Sequence, residues 1–358
     1  MKLHRRFIKW GLATIVLLSE FITVPSISQD LPSFDSVFEE AINVSDDAII
    51  TIGYIEKGQT DFQVYTKEGV DESKPIHDYE VGSITKTFTG TLVSRAVEDG
   101  LLNIDESIGF YLNLPEDADY PTIRQLLTHT SGYPTFIENE VIIDNLTQGA
   151  NPYQGVGREI MMNEIAENSH KEGKQPYQYS NFNAGVLGLV LESIYGESYA
   201  VLLENYIKED LQLGTTHLFE EETPLGNNWL WSKETDAYVP AGALISNIED
   251  MLSYLKLQLS EANTEIRTSH DVLSEVNATS SDNGELGIRI DAVAYQWMLN
   301  QKEDIIWHDG GTGGYTSYIG FNKAEEVGVV VLSNVAMDQG IPANLLGSLL
   351  LMEKLEKS

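Results

Sequence analysis

Ser83 and Lys86 are separated by one helical turn, and this spacing could place a nucleophile next to its base. Both lie in the segment EVGSITKTFTG, which runs from Glu80 to Gly90. A serine hydroxyl attacks a carbonyl when a neighbouring group takes its proton, and a lysine amine takes that proton when burial lowers its pKa. The chain has 27 serines and 15 lysines in 358 residues, so about one such pair is expected by chance. The spacing alone leaves two interpretations open, a catalytic pair and a capping serine beside a lysine that reaches solvent.

A second serine-x-x-lysine pair, Ser253 and Lys256, provides an internal comparison. Its neighbours predict an amphipathic helix in which Ser253 lies opposite the apolar stripe and Lys256 lies on its flank. The stripe consists of Ile248, Met251, Leu252, Leu255 and Leu259. Both polar side chains are therefore expected in solvent, without a catalytic role.

The first pair differs because Lys86 falls on the apolar side of its helix. At 100° per residue, the helix has an apolar arc around Lys86 and a polar face elsewhere. The arc comprises Gly90, Val93, Ala96 and Val97, and the polar face comprises Ser94, Arg95 and Glu98. A buried ammonium without a partner is unfavourable, so Lys86 is expected to be neutral or tightly hydrogen-bonded. Ser83 lies at the helix N-terminus, where backbone N–H groups favour an oxyanion.

The composition indicates a folded, acidic and exported protein. Hydrophobic residues make up 42% of the chain, and the absence of cysteine excludes disulfides, thiolate metal sites and a cysteine nucleophile. Residues 1–28 have a basic start, the apolar run GLATIVLLS and small residues near the end, a pattern typical of a signal peptide cleaved near Ser28. An uncleaved anchor is the alternative, and both predict a secreted, periplasmic or cell-surface protein. The net charge of −33 opposes nucleic-acid binding, and no stable membrane insertion is expected after cleavage.

Strand patterns occur near both ends of the chain, and helical spacing dominates between them. The strand segments are AIITIGYIEKG, TDFQVYTKEG, AYQWMLN, DIIWH, YTSYIGF and VGVVVLSN, and IPANLLGSLLLMEKLEK predicts a closing helix. This order predicts an α/β fold in which N- and C-terminal strands form one antiparallel sheet flanked by helices, with a large helical lobe inserted. The predicted domain spans residues 29–358, with a sheet lobe of about 30–82 plus 283–358 and a helical lobe of about 83–282.

The segment GSITKTFTG resembles the nucleophile helix of the penicillin-recognising serine hydrolases. It is most similar to the class C β-lactamase-like branch, which includes D-alanyl-D-alanine carboxypeptidases, other D-peptidases and esterases. Two further motifs match in order: Tyr179-Ser180-Asn181 matches a Tyr-x-Asn element, and His308-Asp309-Gly310 matches a basic-residue-x-Gly element. A decoy, Tyr111 to Asn113, lies too close to Ser83 in the chain. The resemblance implies a serine β-lactamase/DD-peptidase-like fold.

The resemblance also implies an acyl-transfer mechanism on Ser83. Ser83 would form an acyl-enzyme, with Lys86 and Tyr179 sharing the transferred proton, and the sequence leaves open which of the two is the base. The backbone N–H groups of Ser83 and Gly311 would form the oxyanion hole. Neither a metal nor a cofactor is expected.

The substrate-binding residues implied by the resemblance are Asn181, His308 and Gly310. Asn181 would bind the substrate amide or orient Lys86. Asp309 departs from the family pattern, in which a hydroxyl residue is usual. Its carboxylate is expected to weaken capture of a substrate's C-terminal carboxylate, and therefore strong β-lactamase activity.

The sequence therefore predicts an exported serine hydrolase that cleaves peptides containing D-amino acids. Its substrate would be a small peptide, a peptidoglycan fragment or an ester. A carboxylesterase or weak β-lactamase is the first alternative, and a non-catalytic penicillin-binding sensor is the second. A Ser-His-Asp hydrolase is disfavoured because no Gly-x-Ser-x-Gly segment occurs, and a metallohydrolase because no His-Glu-x-x-His segment occurs.

Overall fold

The computed structural model describes residues 32–167, 173–219, 225, 227–280, 288–340 and 342–357. The signal segment 1–28 lies outside these residues, so export stays a prediction. The described strands are β1 (Ile50–Glu56), β2 (Gln59–Thr66), β3 (Gly69–Val70), β4 (Asp78–Glu80), β5 (His217–Leu218), β6 (Leu244–Asn247), β7 (Ser274–Thr279), β8 (Arg289–Val293), β9 (Met298–Asn300), β10 (Ile305–Gly311), β11 (Thr316–Asn322) and β12 (Val327–Ser333).

The described helices alternate with these strands mainly in the middle of the chain. They are α1 (Phe34–Ile42), α2 (Thr85–Glu98), α3 (Ile108–Leu112), α4 (Ile123–Leu127), α5 (Glu140–Gln148), α6 (Arg158–Glu167), α7 (Asn181–Tyr195), α8 (Tyr199–Asn205), α9 (Val239–Gly242), α10 (Ile248–Leu259), α11 (Thr264–Ser269) and α12 (Ala343–Lys357). A 3₁₀ turn (Gly82–Ile84) precedes α2, and a π-helical turn (Tyr206–Asp210) extends α8.

One large antiparallel sheet joins the two ends of the chain. Among the described residues it contains nine strands in the order β3-β2-β1-β12-β11-β10-β9-β8-β7. The N- and C-terminal parts meet where β1 pairs with β12, from Ile50 opposite Ser333 to Glu56 opposite Val327. Every strand pair in this sheet is antiparallel. The predicted fold class is therefore confirmed.

The middle of the chain contains more strand than the sequence predicts. Strands β4, β6 and β5 form a separate small sheet, and β7 belongs to the large sheet although it precedes the predicted boundary at residue 283. β7 has the sequence SEVNAT and alternates between partly buried and exposed positions, as expected for an edge strand. Its weak apolar content explains why the sequence does not reveal it.

Two hydrophobic cores cover the two faces of the large sheet. One lies between the sheet and the helices of the middle segment, and the other between the sheet and α1 and α12. Helix α2 runs through the first core, and its residues from Thr85 to Ser94 are all buried. The threonine hydroxyls remain satisfied because they donate to carbonyls of their own helix or of the preceding 3₁₀ turn, for example Thr91 to Thr87 O at 2.8 Å.

The predicted polar face of α2 is wrong at one position. Ser94 is buried, and its hydroxyl donates to the carbonyl of Glu265 in α11 at 2.9 Å. A helical wheel cannot reveal this, because a serine hydroxyl is equally suited to solvent and to a carbonyl on a neighbouring helix.

No single helix in the described ranges has both the length and the hydropathy of a membrane span. Helix α7 and the segment Tyr199–Asp210 reach that threshold only together, and they bend by 84° at the break between them.

Candidate active site

Ser83 lies in the 3₁₀ turn that leads from β4 into α2. It is the only partly exposed residue between Val81 and Gly90, because its neighbours are buried on both sides. Gly82 has a φ of +50°, a left-handed conformation that favours glycine, and a Cβ there would lie 2.7 Å from Gly311 N. The turn is held by Thr85, whose hydroxyl donates to Gly82 O at 2.7 Å. The chain therefore presents the Ser83 hydroxyl at the start of a buried helix.

Lys86 is fully buried and hydrogen-bonded to Ser83. Its Nζ lies 2.8 Å from Ser83 Oγ and donates to the backbone carbonyl of Ala241 at 2.6 Å. Burial lowers the pKa of Lys86 well below its usual range, and the negative charge of Asp309 opposes this effect only in part. A neutral amine donates one N–H to Ala241 and directs its lone pair at the Ser83 hydroxyl. The position and the lowered pKa of Lys86 therefore suit it to accept the Ser83 proton.

The predicted comparison with the second pair agrees with the structure. Ser253 and Lys256 are both exposed on α10, and the Ser253 hydroxyl donates to the carbonyl of Glu249 in its own helix at 2.9 Å. The same sequence spacing therefore produces a catalytic geometry only where the helix is buried on the lysine side.

Tyr179 lies beside the Ser83–Lys86 pair. The Nζ of Lys86 is 5.0 Å from the centroid of the Tyr179 ring. The phenol oxygen is buried and makes no hydrogen bond of normal geometry within the described residues. Burial raises the pKa of Tyr179 well above its usual value, and the nearby Ser83 hydroxyl opposes this effect. Tyr179 is therefore a protonated phenol.

His129 positions the Tyr179 segment. Its Nδ1 accepts the Ser180 N–H at 3.1 Å, and its ring centroid lies 4.6 Å from that of Tyr179. The carbonyl of Tyr179 accepts from the Thr135 hydroxyl at 2.9 Å. Burial lowers the pKa of His129 well below its usual value, so the ring is neutral. These contacts give His129 a structural role beside Tyr179.

Asn181 begins α7, and its side chain points to Tyr153. Its Nδ2 donates to the Tyr153 hydroxyl at 2.7 Å. The alternative role predicted for Asn181, orienting Lys86, is filled instead by the carbonyl of Ala241. Substrate binding by Asn181 stays a prediction.

His308 and Asp309 point to opposite faces of β10. His308 is buried, and its Nδ1 donates to the carbonyl of Asp309 at 2.6 Å. Burial lowers the pKa of His308 to about 3, so the imidazole is neutral. The carboxylate of Asp309 accepts from Asn344 Nδ2 of α12 at 2.6 Å. The charge of Asp309 still acts on Lys86 and Tyr179, so its expected effect on capture of a substrate carboxylate stays a prediction.

Gly310 and Gly311 allow β10 to pack against the 3₁₀ turn Gly82–Ile84 that carries Ser83, which we call the nucleophile turn. A Cβ on Gly310 would lie 2.1 Å from Val81 O and 2.9 Å from Ser83 N. A Cβ on Gly82 would likewise lie 2.7 Å from Gly311 N. The two amides predicted to bind the oxyanion, those of Ser83 and Gly311, therefore lie on adjoining backbone segments.

Sequence reasoning missed Glu80, Tyr153 and Ala241. Glu80 opens the nucleophile segment and is 3% exposed, so a charged residue before an apolar turn was the available signal. Tyr153 and the Ala241 carbonyl gave no signal, because they act through contacts with distant segments. In the described part of the chain, no three His, Asp or Glu side chains converge as metal ligands.

The class of protein follows from this combination of fold and site. The family model described as Beta-lactamase matches residues 52–343. The chain therefore belongs to the beta-lactamase family, whose members are serine hydrolases. The resemblance predicted from the motifs is confirmed.

Protein flp is a distant relative of this chain. Protein flp from Staphylococcus aureus (strain COL) is 28% identical over 296 residues, which cover 76% of this chain and 56% of flp. The chain thus spans about half the length of the curated relatives it matches.

Two solved structures share the fold. The octameric penicillin-binding protein homologue from Pyrococcus abyssi has a TM-score of 0.71 and 22% identity, covering 90% of this chain and 77% of that one. The beta-lactamase/D-alanine carboxypeptidase from Yersinia pestis, solved with citrate, also has a TM-score of 0.71 at 17% identity, covering 90% and 96%.

Proposed function

We propose that this chain is a serine hydrolase that cleaves small peptides containing D-amino acids, such as D-alanyl-D-alanine ends of peptidoglycan fragments, through an acyl-enzyme on Ser83. The observation that carries the proposal is the 2.8 Å contact between Ser83 Oγ and the Nζ of a fully buried Lys86. The substrate class is supported by the Yersinia pestis neighbour, which is named as a beta-lactamase/D-alanine carboxypeptidase.

In the acylation step, neutral Lys86 takes the hydroxyl proton of Ser83 while Oγ bonds to the substrate carbonyl carbon. The carbonyl π electrons move to oxygen, and this oxyanion is stabilised by the N–H groups of Ser83 and Gly311. The low pKa of Lys86 supports its role as the base, since a protonated amine cannot accept the proton.

In the departure step, the C–N bond breaks and the leaving amine takes the phenol proton of Tyr179. The ammonium of Lys86 then returns a proton to Tyr179, which restores the neutral amine. The raised pKa of Tyr179 supports this role, because the phenol keeps its proton until the amine needs it. Water then attacks the acyl ester, which releases the carboxylic acid and regenerates Ser83.

Carboxylic esters are the second candidate substrate class. His308 occupies the position where the family has a cation, yet it is neutral because its pKa is lowered to about 3. A neutral imidazole contributes no charge attraction to a C-terminal carboxylate, so this observation favours substrates that lack one.

The test is a substrate panel with matched serine variants. Purified protein is given an N-acyl-D-alanyl-D-alanine peptide, a short-chain p-nitrophenyl ester and a chromogenic cephalosporin, and product release is measured. We expect peptide turnover and slow cephalosporin turnover. Faster turnover of the ester than of the peptide would favour the second candidate, and acylation without release would indicate a penicillin-binding sensor.

The variants assign the chemistry to Ser83. Ser83→Ala should abolish both turnover and labelling by a fluorophosphonate. Ser253→Ala removes the matched serine of the exposed pair and should leave both at wild-type levels. Labelling that persists in Ser83→Ala would overturn the proposal.

We also propose that the protein is exported. The proposal is supported by the basic and apolar pattern of residues 1–28. Intact mass spectrometry of the protein recovered outside the cytoplasm should give a chain that begins near Gln29, whereas an anchor would leave the full-length mass.

A further inference from the structure

Glu80 is a buried carboxyl group at the entrance to the nucleophile turn. It is the last residue of β4, three positions before Ser83, and only 3% of its surface is exposed. Its Oε2 accepts from the Thr312 hydroxyl at 2.6 Å, and its Oε1 accepts from the backbone N–H of Trp229 at 2.8 Å. Both oxygens are therefore occupied by donors from other segments of the chain.

The first partner, Thr312, lies in the hairpin formed by β10 and β11. This hairpin also carries the Gly311 amide that is predicted to bind the oxyanion. Thr312 directly follows Gly311 at the end of β10, and its backbone N–H donates to Tyr315 O at 2.9 Å to close the hairpin. Glu80 and Thr312 thus connect the residue before the nucleophile turn with the residue after the predicted oxyanion donor.

The second partner, Trp229, belongs to a cluster of aromatic rings beside Asn181 that includes Tyr153. The Trp229 indole packs against Gly313, where a Cβ would lie 2.6 Å from Nε1. Its ring centroid lies 5.9 Å from that of Tyr153, whose hydroxyl accepts from Asn181. Glu80 therefore contacts two other segments that border the site.

Burying a carboxyl group at this position costs desolvation free energy. Burial raises the pKa of Glu80 to about 7, and among the described residues no cation pairs with it. The titratable group that its charge affects is Tyr315 of the hairpin, whose pKa it helps to raise. An apolar side chain would fill the space at lower cost, but it could not accept two hydrogen bonds in fixed directions.

We propose that Glu80 is a positioning residue that holds the Gly311 amide at the correct distance from Ser83 by binding Thr312 and Trp229 together. The inference rests on the proposed function, because it assigns a role in the same acyl-transfer site. A second link between these strands, from Ser317 Oγ to Val81 O at 2.8 Å, lies before Gly311 in the hairpin pairing. Glu80 links the two segments on the other side of Gly311, through Thr312.

The mildest test changes Thr312. Thr312→Val keeps the shape of the side chain and removes the hydroxyl donor, and Thr312→Ser keeps the donor. Because an oxyanion contact forms only in the transition state, Thr312→Val should lower kcat about tenfold with KM unchanged, and Thr312→Ser should restore kcat to within about twofold of wild type. Equal kcat values in Thr312→Val and wild type would overturn the proposal.

A second test changes Glu80 and uses Asp236 as a matched control. Asp236 is another buried carboxylate with two backbone donors, Gly155 N at 2.9 Å and Ser232 N at 2.8 Å, but it does not contact the nucleophile turn or the hairpin. Glu80→Gln retains both hydrogen bonds, since the amide oxygen accepts from Trp229 and the amide nitrogen donates to the Thr312 hydroxyl. We expect near wild-type fluorophosphonate labelling in Glu80→Gln, about tenfold slower labelling in Glu80→Ala, and an unchanged rate in Asp236→Ala.

Hydrogen exchange separates this proposal from the proposed function. Amides of the hairpin peptide that contains Gly311 to Tyr315 should exchange about tenfold faster in Glu80→Ala and in Thr312→Val than in wild type, whether or not the protein turns over any substrate. Absent labelling of the wild type would defeat the proposed function alone. Unchanged hairpin exchange in both variants, or an equal loss of labelling in Glu80→Ala and Asp236→Ala, would defeat the positioning role alone.

Discussion

The Nζ of Lys86 is hydrogen-bonded to Ser83 Oγ at 2.8 Å and to the carbonyl of Ala241 at 2.6 Å. The carbonyl belongs to α9, 155 positions away in sequence from the lysine. Because a carbonyl only accepts, it fixes one N–H of the amine and leaves the remaining lone pair of a neutral lysine for the serine. The amine is thus oriented by a backbone group, and burial keeps it neutral so that it can accept a proton.

Replacing Lys86 should remove acylation without unfolding the protein. Lys86→Met is expected to lower kcat/KM about 10³-fold, since general-base catalysis contributes about 10²–10⁴-fold. Lys86→Arg should not restore activity, because the guanidinium stays protonated. Lys256→Met, in the exposed second pair, should retain wild-type kinetics. Fluorophosphonate labelling and a thermal unfolding midpoint for each variant check the expectation, and rapid labelling of Lys86→Arg would contradict it.

Tyr179→Phe should separate catalysis from stability. The ring contact with His129 remains, and the hydroxyl that is lost has no normal hydrogen bond among the described residues. We therefore expect a free energy of unfolding equal to or above that of wild type, together with a fall of about 10²–10⁴-fold in kcat. Urea unfolding and peptide turnover measure the two effects. A destabilised variant with normal kcat would show that Tyr179 serves only the fold.

Glu80 should make the folded state less stable as the pH rises. Its folded pKa of about 7 lies above the ordinary value of 4.5, so the folded protein keeps a proton that the unfolded chain has already lost. The resulting stability is complete below pH 4.5 and is lost as the pH rises to about 7, to a total of about 3 kcal/mol.

Glu80→Gln should remove this pH dependence. The difference in free energy of unfolding between wild type and Glu80→Gln, measured by urea unfolding from pH 4.5 to 8, is expected to change by that amount. The buried neutral histidines change stability in the opposite direction below pH 6.5, and they cancel in the difference because both proteins contain them. A difference that does not change with pH would show that the carboxyl of Glu80 ionises normally.

Gly310 should not tolerate a methyl group. Gly310→Ala would push a Cβ to 2.1 Å from Val81 O, a backbone atom that cannot move without displacing the nucleophile turn. We expect a loss of about 3 kcal/mol in free energy of unfolding and of most labelling at Ser83. Gly214→Ala is the control, because a Cβ there has nothing within 4 Å and the φ is not positive. Equal stability of the two variants would contradict the close passage of β10.

Much of the fold was predictable because its strands and helices follow local patterns of apolar residues. The strands β1, β2 and β9 to β12 and the closing helix α12 overlap the segments that alternation and helical spacing indicate. Strand β7 was not predictable, because an edge strand buries too little apolar surface to show a clear pattern. The exposed pair on α10 and the buried pair on α2 were distinguished correctly, since both depend on the spacing of apolar residues along one helix.

Some features of the site were likewise not predictable from the sequence. The orientation of Asp309 was not predictable from its motif, because it depends on Asn344 in a helix that follows three elements later. The role of Asn181 was likewise decided by Tyr153, and that of Glu80 by Thr312 and Trp229.

By itself the sequence determined which serine and lysine pair, because residues three apart on a helix are neighbours wherever the helix lies. It also determined the order of the three motifs and the two-ended sheet. Only the tertiary structure decided that Tyr179 meets this pair, that His308 lies beside Tyr179, that Ala241 orients the amine, and that both the amine and the imidazole are neutral. Proton affinity depends on desolvation and on charges from distant segments, and these exist only once the chain has folded.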